Sequence, residues 1–407
     1  MKDKNKSMEF ENKFNDDRNK LNAESGSEIV IGENDINEER AEALKYENER
    51  KAEEAVKKKE IRKKILGYVV LLVISAAVIA GMIIFEDKSG DMVAGKEAIN
   101  LLLQNPLFAI LAFVMFFVIV LADVTVFRFL SIKLGVKRSL KTCVGVSFLG
   151  RYYDRITPWA MGGEPFQILY LNKSGLSAGD SCAITMSRHI IRFFTVAVAV
   201  ILILTVSQVS TNVYVMVAAI ASVLIGLVIP TFMLICAWKP KIGFGIGNAV
   251  IKFLCKIRFV KDCEKAQKKM HDSVDEFLKG VKFLSANKIM ILVIGLCALV
   301  EMFAYNSVPY FVIRALGITE IGYWKTLVLC LFVNYASSFA PTPGGAGIAE
   351  LSFYAIFASF VKDGLLFWAV LFWRIAVFYI PVFIGFVITA VTSAKNIINI
   401  KKASKSV

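Results

Sequence analysis

The residues best able to do chemistry in this chain are ionisable groups inside apolar stretches, and they recur at two matched places. The first reads Thr157-Pro158-Trp159-Ala160-Met161-Gly162-Gly163-Glu164, and the second reads Pro341-Thr342-Pro343-Gly344-Gly345-Ala346-Gly347-Ile348-Ala349-Glu350. In each, a Gly pair follows a Pro and precedes a Glu. An Arg stands twenty-four residues beyond each Glu, Arg188 after Glu164 and Arg374 after Glu350. A charge at the centre of a bilayer costs about 3 kcal/mol, so such residues mark function unless they are simply paired. Arg192 lies four residues beyond Arg188 and shares its helix face. Guanidinium forks fit phosphate oxygens bidentately. Half-helices starting after the Gly pairs would aim unpaired N–H groups at an anion. Gly permits close backbone approach there, and Pro165 or Pro343 suits a first helical turn.

These features predict a cavity for a phosphate-bearing head group. Its expected lining is Gly162, Gly163, Glu164, Arg188, Arg192, Glu301, Pro343, Gly344, Gly345, Glu350 and Arg374. Glu164 and Glu350 would offset fixed Arg charge or meet a cationic group. A plainer reading makes Glu164–Arg188 and Glu350–Arg374 internal salt bridges that hold the protein together; the two readings are compatible. Glu301, in mid-helix, needs a partner, for which Arg374 or the polar groups near Asn306 and Asn334 are candidates. Asp123, Arg128, Asp154 and His189 complete the set of ionisable residues in apolar segments. Arg151 and Arg155 either line the cavity or snorkel to the interface, and His189 reads as a packed or hydrogen-bonded residue.

The elements that must hold these groups are transmembrane. The chain has 407 residues, 56% of them hydrophobic, and apolar runs of about 20 residues, enough to cross a bilayer core, recur along it. The expected class is all-α: a polytopic membrane protein with six full spans and two re-entrant broken-helix hairpins in inverted-topology repeats. The spans read 65–85, 107–130, 181–206, 212–237, 289–313 and 365–391, and the hairpins 139–173 and 326–361. Residues 1–64 form a charged cytoplasmic extension, 65–395 the membrane domain and 396–407 a cytoplasmic tail. Within the domain, repeat A covers 107–206, a basic linker 239–288 and repeat B 289–391. The linker carries twelve Lys or Arg against five acids, which with the basic flanks of 65 and 395 places both termini in the cytoplasm. Residues 249–284 have the spacing of a helix lying on the cytoplasmic leaflet.

The net charge of +14 belongs to these membrane flanks and anionic lipid, so no nucleic-acid partner is expected. The seven Cys form no CxxC pair and read as reduced and buried, and with two His in the chain no metal or cofactor is expected. No GK[ST] phosphate loop and no Ser/His/Asp arrangement stands out.

At these residues the chain resembles the lysylphosphatidylglycerol synthase transmembrane-region family, which includes the flippase half of the multiple-peptide-resistance proteins. Residues 339–350 look like its PxPGGxGxxE element, Gly162-Gly163-Glu164 like its first GGE element, and Arg188 like the Arg of the following helix. Glu301, followed by Ala315-Leu316-Gly317, looks like its Glu-containing helix. Trp159-Ala160-Met161 and Ser187 depart from the pattern. The resemblance implies a flippase-like protein of the plasma membrane that handles an anionic or aminoacylated phospholipid, linked to lysylphosphatidylglycerol and antibiotic resistance. Larger members add a soluble synthase domain. Too few residues follow the last span to form one, so lysyl transfer to phosphatidylglycerol by this chain alone is not expected. A homo-oligomer or a separate synthase partner would fit, and a non-transporting scaffold acting through residues 1–64 is the remaining alternative.

Overall fold

The structure is a computed structural model that describes residues 93 to 391, apart from 137, 159–161, 207–223, 225–226, 229, 233, 237, 257–261, 339, 362–363 and 390. The N-terminal extension, the span expected over 65–85, most of that over 212–237, and the tail 396–407 lie outside the described residues.

Every regular element among the described residues is helical. Helix α1 (Gly95–Gln104) is followed by α2 (Pro106–Lys133), which opens on a Pro whose missing N–H would be unpaired there anyway. Helix α3 (Leu140–Ile156) starts at Ser139, whose Oγ accepts from the Thr142 amide at 3.2 Å, a cap contributing about 1 kcal/mol. Helices α4 (Gly163–Lys173), α5 (Ala178–Val206), α6 (Pro240–Lys256) and α7 (Cys263–Ala286) follow. Helix α8 (Lys288–Ala315) is capped by the Asn287 side chain, which accepts from the amides of Ile289 and Met290 at 3.1 and 3.3 Å. Then come α9 (Tyr323–Ser338), α10 (Ile348–Phe357) and α11 (Leu366–Arg374), which continues through a π turn at Ile375–Tyr379 and on to Thr389.

Among the described residues, four helices are long and apolar enough to cross a membrane: Pro106–Lys133, Ala178–Ile203, Lys288–Ala315 and Leu366–Thr389. They match four of the six expected spans. The two segments expected to dip are each a pair of shorter helices around a break, α3 with α4 and α9 with α10. The longest of these, α3, has 17 residues. At 1.5 Å per residue it reaches about 26 Å, short of a hydrocarbon core of about 30 Å.

Helix α8 sits at the centre. It packs chiefly along α2, and also against α5, α9 and α11. Helices α3 and α4 close on each other where α3 has no side chain. A Cβ on Gly150 would collide with the Gln167 side chain, so Gly there lets Gln167 lie against α3. On the other side, Phe353, Phe357 and Trp373 stack, with ring centroids 4.4 and 4.9 Å from Phe353, and wall off the second break.

Two expectations are corrected here. The amphipathic stretch 249–284, expected as one helix, falls on two, the end of α6 and most of α7. Helix α7 packs on α5 and α6 and buries Val281, so its apolar face is turned into the protein. Cys255 and Cys263, expected to be reduced, are joined as a disulfide, since the α6–α7 hairpin brings their Cα atoms to 6.1 Å. Cys143, Cys182, Cys236, Cys297 and Cys330 are free.

Candidate functional site

The two breaks meet. Pro158 and Pro343 form an isolated antiparallel bridge, and the carbonyl of Arg155 would lie 3.1 Å from a Cβ on Gly344. The second break turns through Gly344, Gly345 and Gly347, all at positive φ, a conformation that only Gly adopts at no steric cost.

Side chains reinforce this junction. Arg155 donates from Nε and Nη2 to the carbonyl of Val377 at 2.9 and 2.6 Å, and from Nη1 to the Arg151 carbonyl at 2.9 Å. Val377 lies in the π turn of α11, whose altered hydrogen-bond register suits its carbonyl to an outside donor; π turns of this kind cluster at functional sites. Arg151 Nη2 donates to Glu301 Oε1 at 2.7 Å and to the Ile119 carbonyl at 3.1 Å, and lies 3.6 Å from Asp123 Oδ2. Glu301 therefore joins α8 to α3. Arg192 Nε approaches Glu301 Oε2 at 3.5 Å, with 37% of its side chain exposed.

The remaining charges pair locally. Glu350 Oε1 lies 2.7 Å from Arg374 Nε, while its Oε2 accepts from the Gly347 amide at 2.7 Å. The guanidinium carbon of Arg374 stands 4.9 Å from the Trp373 ring centre and 5.2 Å from that of Phe378. These π faces compensate Nη2, which is buried with no hydrogen-bond partner among the described residues. Arg188 has a similar setting: Nη1 is 2.7 Å from Asp123 Oδ1, Nη2 donates to Gln167 Oε1 at 3.2 Å, and the Phe127 ring centre lies 4.9 Å away. Ser147 Oγ donates to Asp123 Oδ2 at 2.6 Å. Glu164 Oε1 lies 2.7 Å from His189 Nδ1.

Of the two expected pairs, then, Glu350–Arg374 is present and Glu164–Arg188 is not. Glu164 turns to His189 because Asp123 on α2 already holds Arg188. Glu301 takes neither Arg374 nor the Asn residues; Asn334 Nδ2 instead donates to Asn306 Oδ1 at 2.7 Å. Arg151 and Arg155 do not snorkel but join the interior network. The free half-helix ends are also occupied. The Gly163 amide donates to Asp154 Oδ1 at 2.7 Å and the Gly162 amide to Thr157 Oγ1 at 2.9 Å, while Glu350 caps Gly347. Arg151, Arg155, Arg188, Arg192 and Arg374 are matched by Asp123, Asp154, Glu164, Glu301 and Glu350, so the cluster is balanced in charge rather than a basic trap for anions.

Asp123 and Asp154 were not placed in the lining expected from sequence, and for Arg151 and Arg155 the choice between lining and interface was left open. Their one signal was an ionisable type in an apolar run; nothing in Trp373-Arg374-Ile375-Ala376-Val377 announces the π turn. Separately, an apolar groove of about 460 Å³ runs between α2 and α8, lined in part by Met115, Leu299, Phe303 and Phe311, with Ser307 and Tyr323 also on its wall.

Long apolar helices around interrupted ones, with a paired ionic network at the interruptions, define a polytopic α-helical membrane protein. Residues 65–385 match the family described as the lysylphosphatidylglycerol synthase TM region, and the chain belongs to that family. It is similar to a UPF0104 membrane protein of Archaeoglobus fulgidus, 26% identical over 262 residues that cover 63% of this chain and 78% of the relative.

Proposed function

We propose that this protein moves a phospholipid across the membrane, the head group passing the junction of the two breaks. The observation that carries this reading is the Arg192–Glu301 pair. Tight pairs hold most of the other charges, but Arg192 keeps a third of its side chain open and its one carboxylate contact is long. An arriving phosphate can take the free face of Arg192 without stripping a partner from a buried charge. A cationic group can then take Glu301 Oε2.

The balance of the cluster favours a head group carrying both a phosphate and an amine, zwitterionic or aminoacylated, over a purely anionic one. A single negative charge would leave the site unbalanced, whereas a phosphate with an amine exchanges one ion pair for two. The groove between α2 and α8 offers the acyl chains a bed of matching polarity.

On this reading the protein is a plasma-membrane protein with both termini in the cytoplasm, built from two oppositely oriented repeats. Lipid transport, a link to lysylphosphatidylglycerol and a role in antibiotic resistance come from the family resemblance, as does the option of a second copy or a separate synthase as partner. Residues 162–164 and 343–345 shape the junction rather than bind through their amides, and Glu164, Arg188, Glu350 and Arg374 hold it in position.

The test is flipping of head-group-labelled lipids in reconstituted vesicles. Lipids bearing phosphate and amine should cross faster than phosphatidylglycerol, and Arg192→Gln should cut that rate at least tenfold with the protein still folded. Equal rates for wild type, Arg192→Gln and empty vesicles would end the proposal. Lysylated lipid formed by the purified chain from lysyl-tRNA would favour the transferase instead.

A further inference from the structure

Helix α6 has two different faces. One packs on α7: the Phe244 ring stacks on His271 with centroids 4.8 Å apart, Asn248 Oδ1 meets His271 Nε2 at 3.1 Å, and Cys255 is joined to Cys263. The opposite face carries Ile242, Ile246, Val250 and Phe253, spaced four, four and three residues apart, which is one stripe of a helix. They are 38, 41, 50 and 61% exposed. Lys241, Lys252 and Lys256 are exposed along one border of that stripe. Trp238, just before the helix, is 86% exposed.

We propose that α6 is an interfacial helix that binds anionic lipid. Its stripe lies in the boundary between head groups and acyl chains, and the three Lys contact lipid phosphates. Three observations select lipid as the occupant. The lysines flank the apolar stripe instead of interrupting it, the arrangement that lets the stems lie on the apolar layer while the ammonium groups reach phosphate. Phe232, Leu234, Ile235 and Trp238, just before α6, are exposed apolar residues as well, so exposed apolar positions run up the chain into the stripe. Trp is the residue type favoured where the two layers meet. The packed face is held to α7, and α7 packs on α5, so the helix is fixed to a membrane-crossing element and its depth in the leaflet is set by the fold.

The consequence is a local enrichment of anionic lipid beside the α5–α7 side of the protein. This does not depend on the lipid-moving reading, and its test has no transport readout. The full chain, with an environment-sensitive fluorescent amino acid at Val250, is placed in nanodiscs of phosphatidylcholine with or without phosphatidylglycerol. Acyl chains are brominated near the head group or near the chain end. Quenching should be strongest with the shallow bromines. Brominated phosphatidylglycerol should quench more than brominated phosphatidylcholine at equal mole fraction. Lys241→Gln/Lys252→Gln/Lys256→Gln, changes confined to exposed side chains, should lower the preference for phosphatidylglycerol at least about tenfold while the shallow depth is kept. An unquenched probe would overturn the proposal, since it would mean water or a second protein surface covers the stripe. So would strongest quenching by the deep bromines, or an undiminished lipid preference in the triple variant.

Discussion

Pro158 and Pro343 pair in an antiparallel bridge although the described chain between them includes two helices long and apolar enough to cross a membrane, Ala178–Ile203 and Lys288–Ala315. Neither Pro can donate from its own nitrogen, so the contact is short and does not extend into a sheet. It brings the two matched breaks to one point. If this contact forms in the membrane, Pro158→Cys/Pro343→Cys should crosslink under mild oxidation. Residues opposite each other in an antiparallel pair have Cα atoms about 4.5–5.5 Å apart, within disulfide range. Mobility on a gel after proteolytic cleavage in the α6–α7 hairpin reads the link, provided Cys255 and Cys263 are both replaced by Ser. Two separated fragments would show that the breaks do not touch.

Glu301 should couple unequally to its two arginines. Arg151 meets it at 2.7 Å with both groups buried, and Arg192 approaches at 3.5 Å while partly exposed. In double-mutant cycles with Gln replacements, read from stability in detergent, Glu301–Arg151 should show a coupling of about 1–3 kcal/mol. Glu301–Arg192 should fall in the range of exposed pairs, about 0.2–1 kcal/mol. The opposite ranking would remove the reason for assigning the phosphate to Arg192.

The sequence exposed the frame of this site more fully than its wiring. Long apolar runs, Gly pairs after Pro, and Glu350 with Arg374 all have local signatures: four of the six expected runs are spanning-length helices among the described residues, and Glu350 pairs with Arg374. The pairing of Glu301 with Arg151 and of Arg188 with Asp123 was hidden because it depends on which helices pack side by side. Spacing says that Arg188 and Arg192 share a face; it does not say that α2 supplies a carboxylate to the first and α8 to the second. The side-chain acceptors on the half-helix ends were hidden for a related reason. Asp154 lies nine residues before Gly163 and only the fold of the break returns it to that amide. The π turn left no trace, since its residues are ordinary helix formers in an apolar span.

Gly345→Ala should destabilise the protein without altering any ionic pair. Gly345 has φ of +70°, and an added Cβ would stand 2.9 Å from the Ser337 carbonyl. The left-handed conformation alone costs a non-Gly residue about 1–2 kcal/mol, and the close carbonyl adds to it. The midpoint of thermal unfolding in detergent should drop by several degrees. An unchanged midpoint would mean that the second break does not hold this turn.

Glu350 and Arg374 give the sharpest test of whether buried charge here stabilises or only positions. Both are buried, and Glu350 also caps the Gly347 amide. Arg374→Met alone should cost about 3–5 kcal/mol, because it strands a carboxylate in a low-dielectric interior. Adding Glu350→Leu removes the stranded charge and should restore much of that loss, though not all of it, since the Gly347 cap, worth about 1 kcal/mol, goes with it. Unfolding midpoints of the single and double variants, measured side by side, separate these terms. If the double variant is no more stable than Arg374→Met, the pair is not an isolated ionic unit and Arg374 acts mainly through its packing against Trp373 and Phe378. If it recovers stability yet its vesicles move no lipid, the pair serves to set the second break in place, and its retention in an apolar interior follows from that positioning.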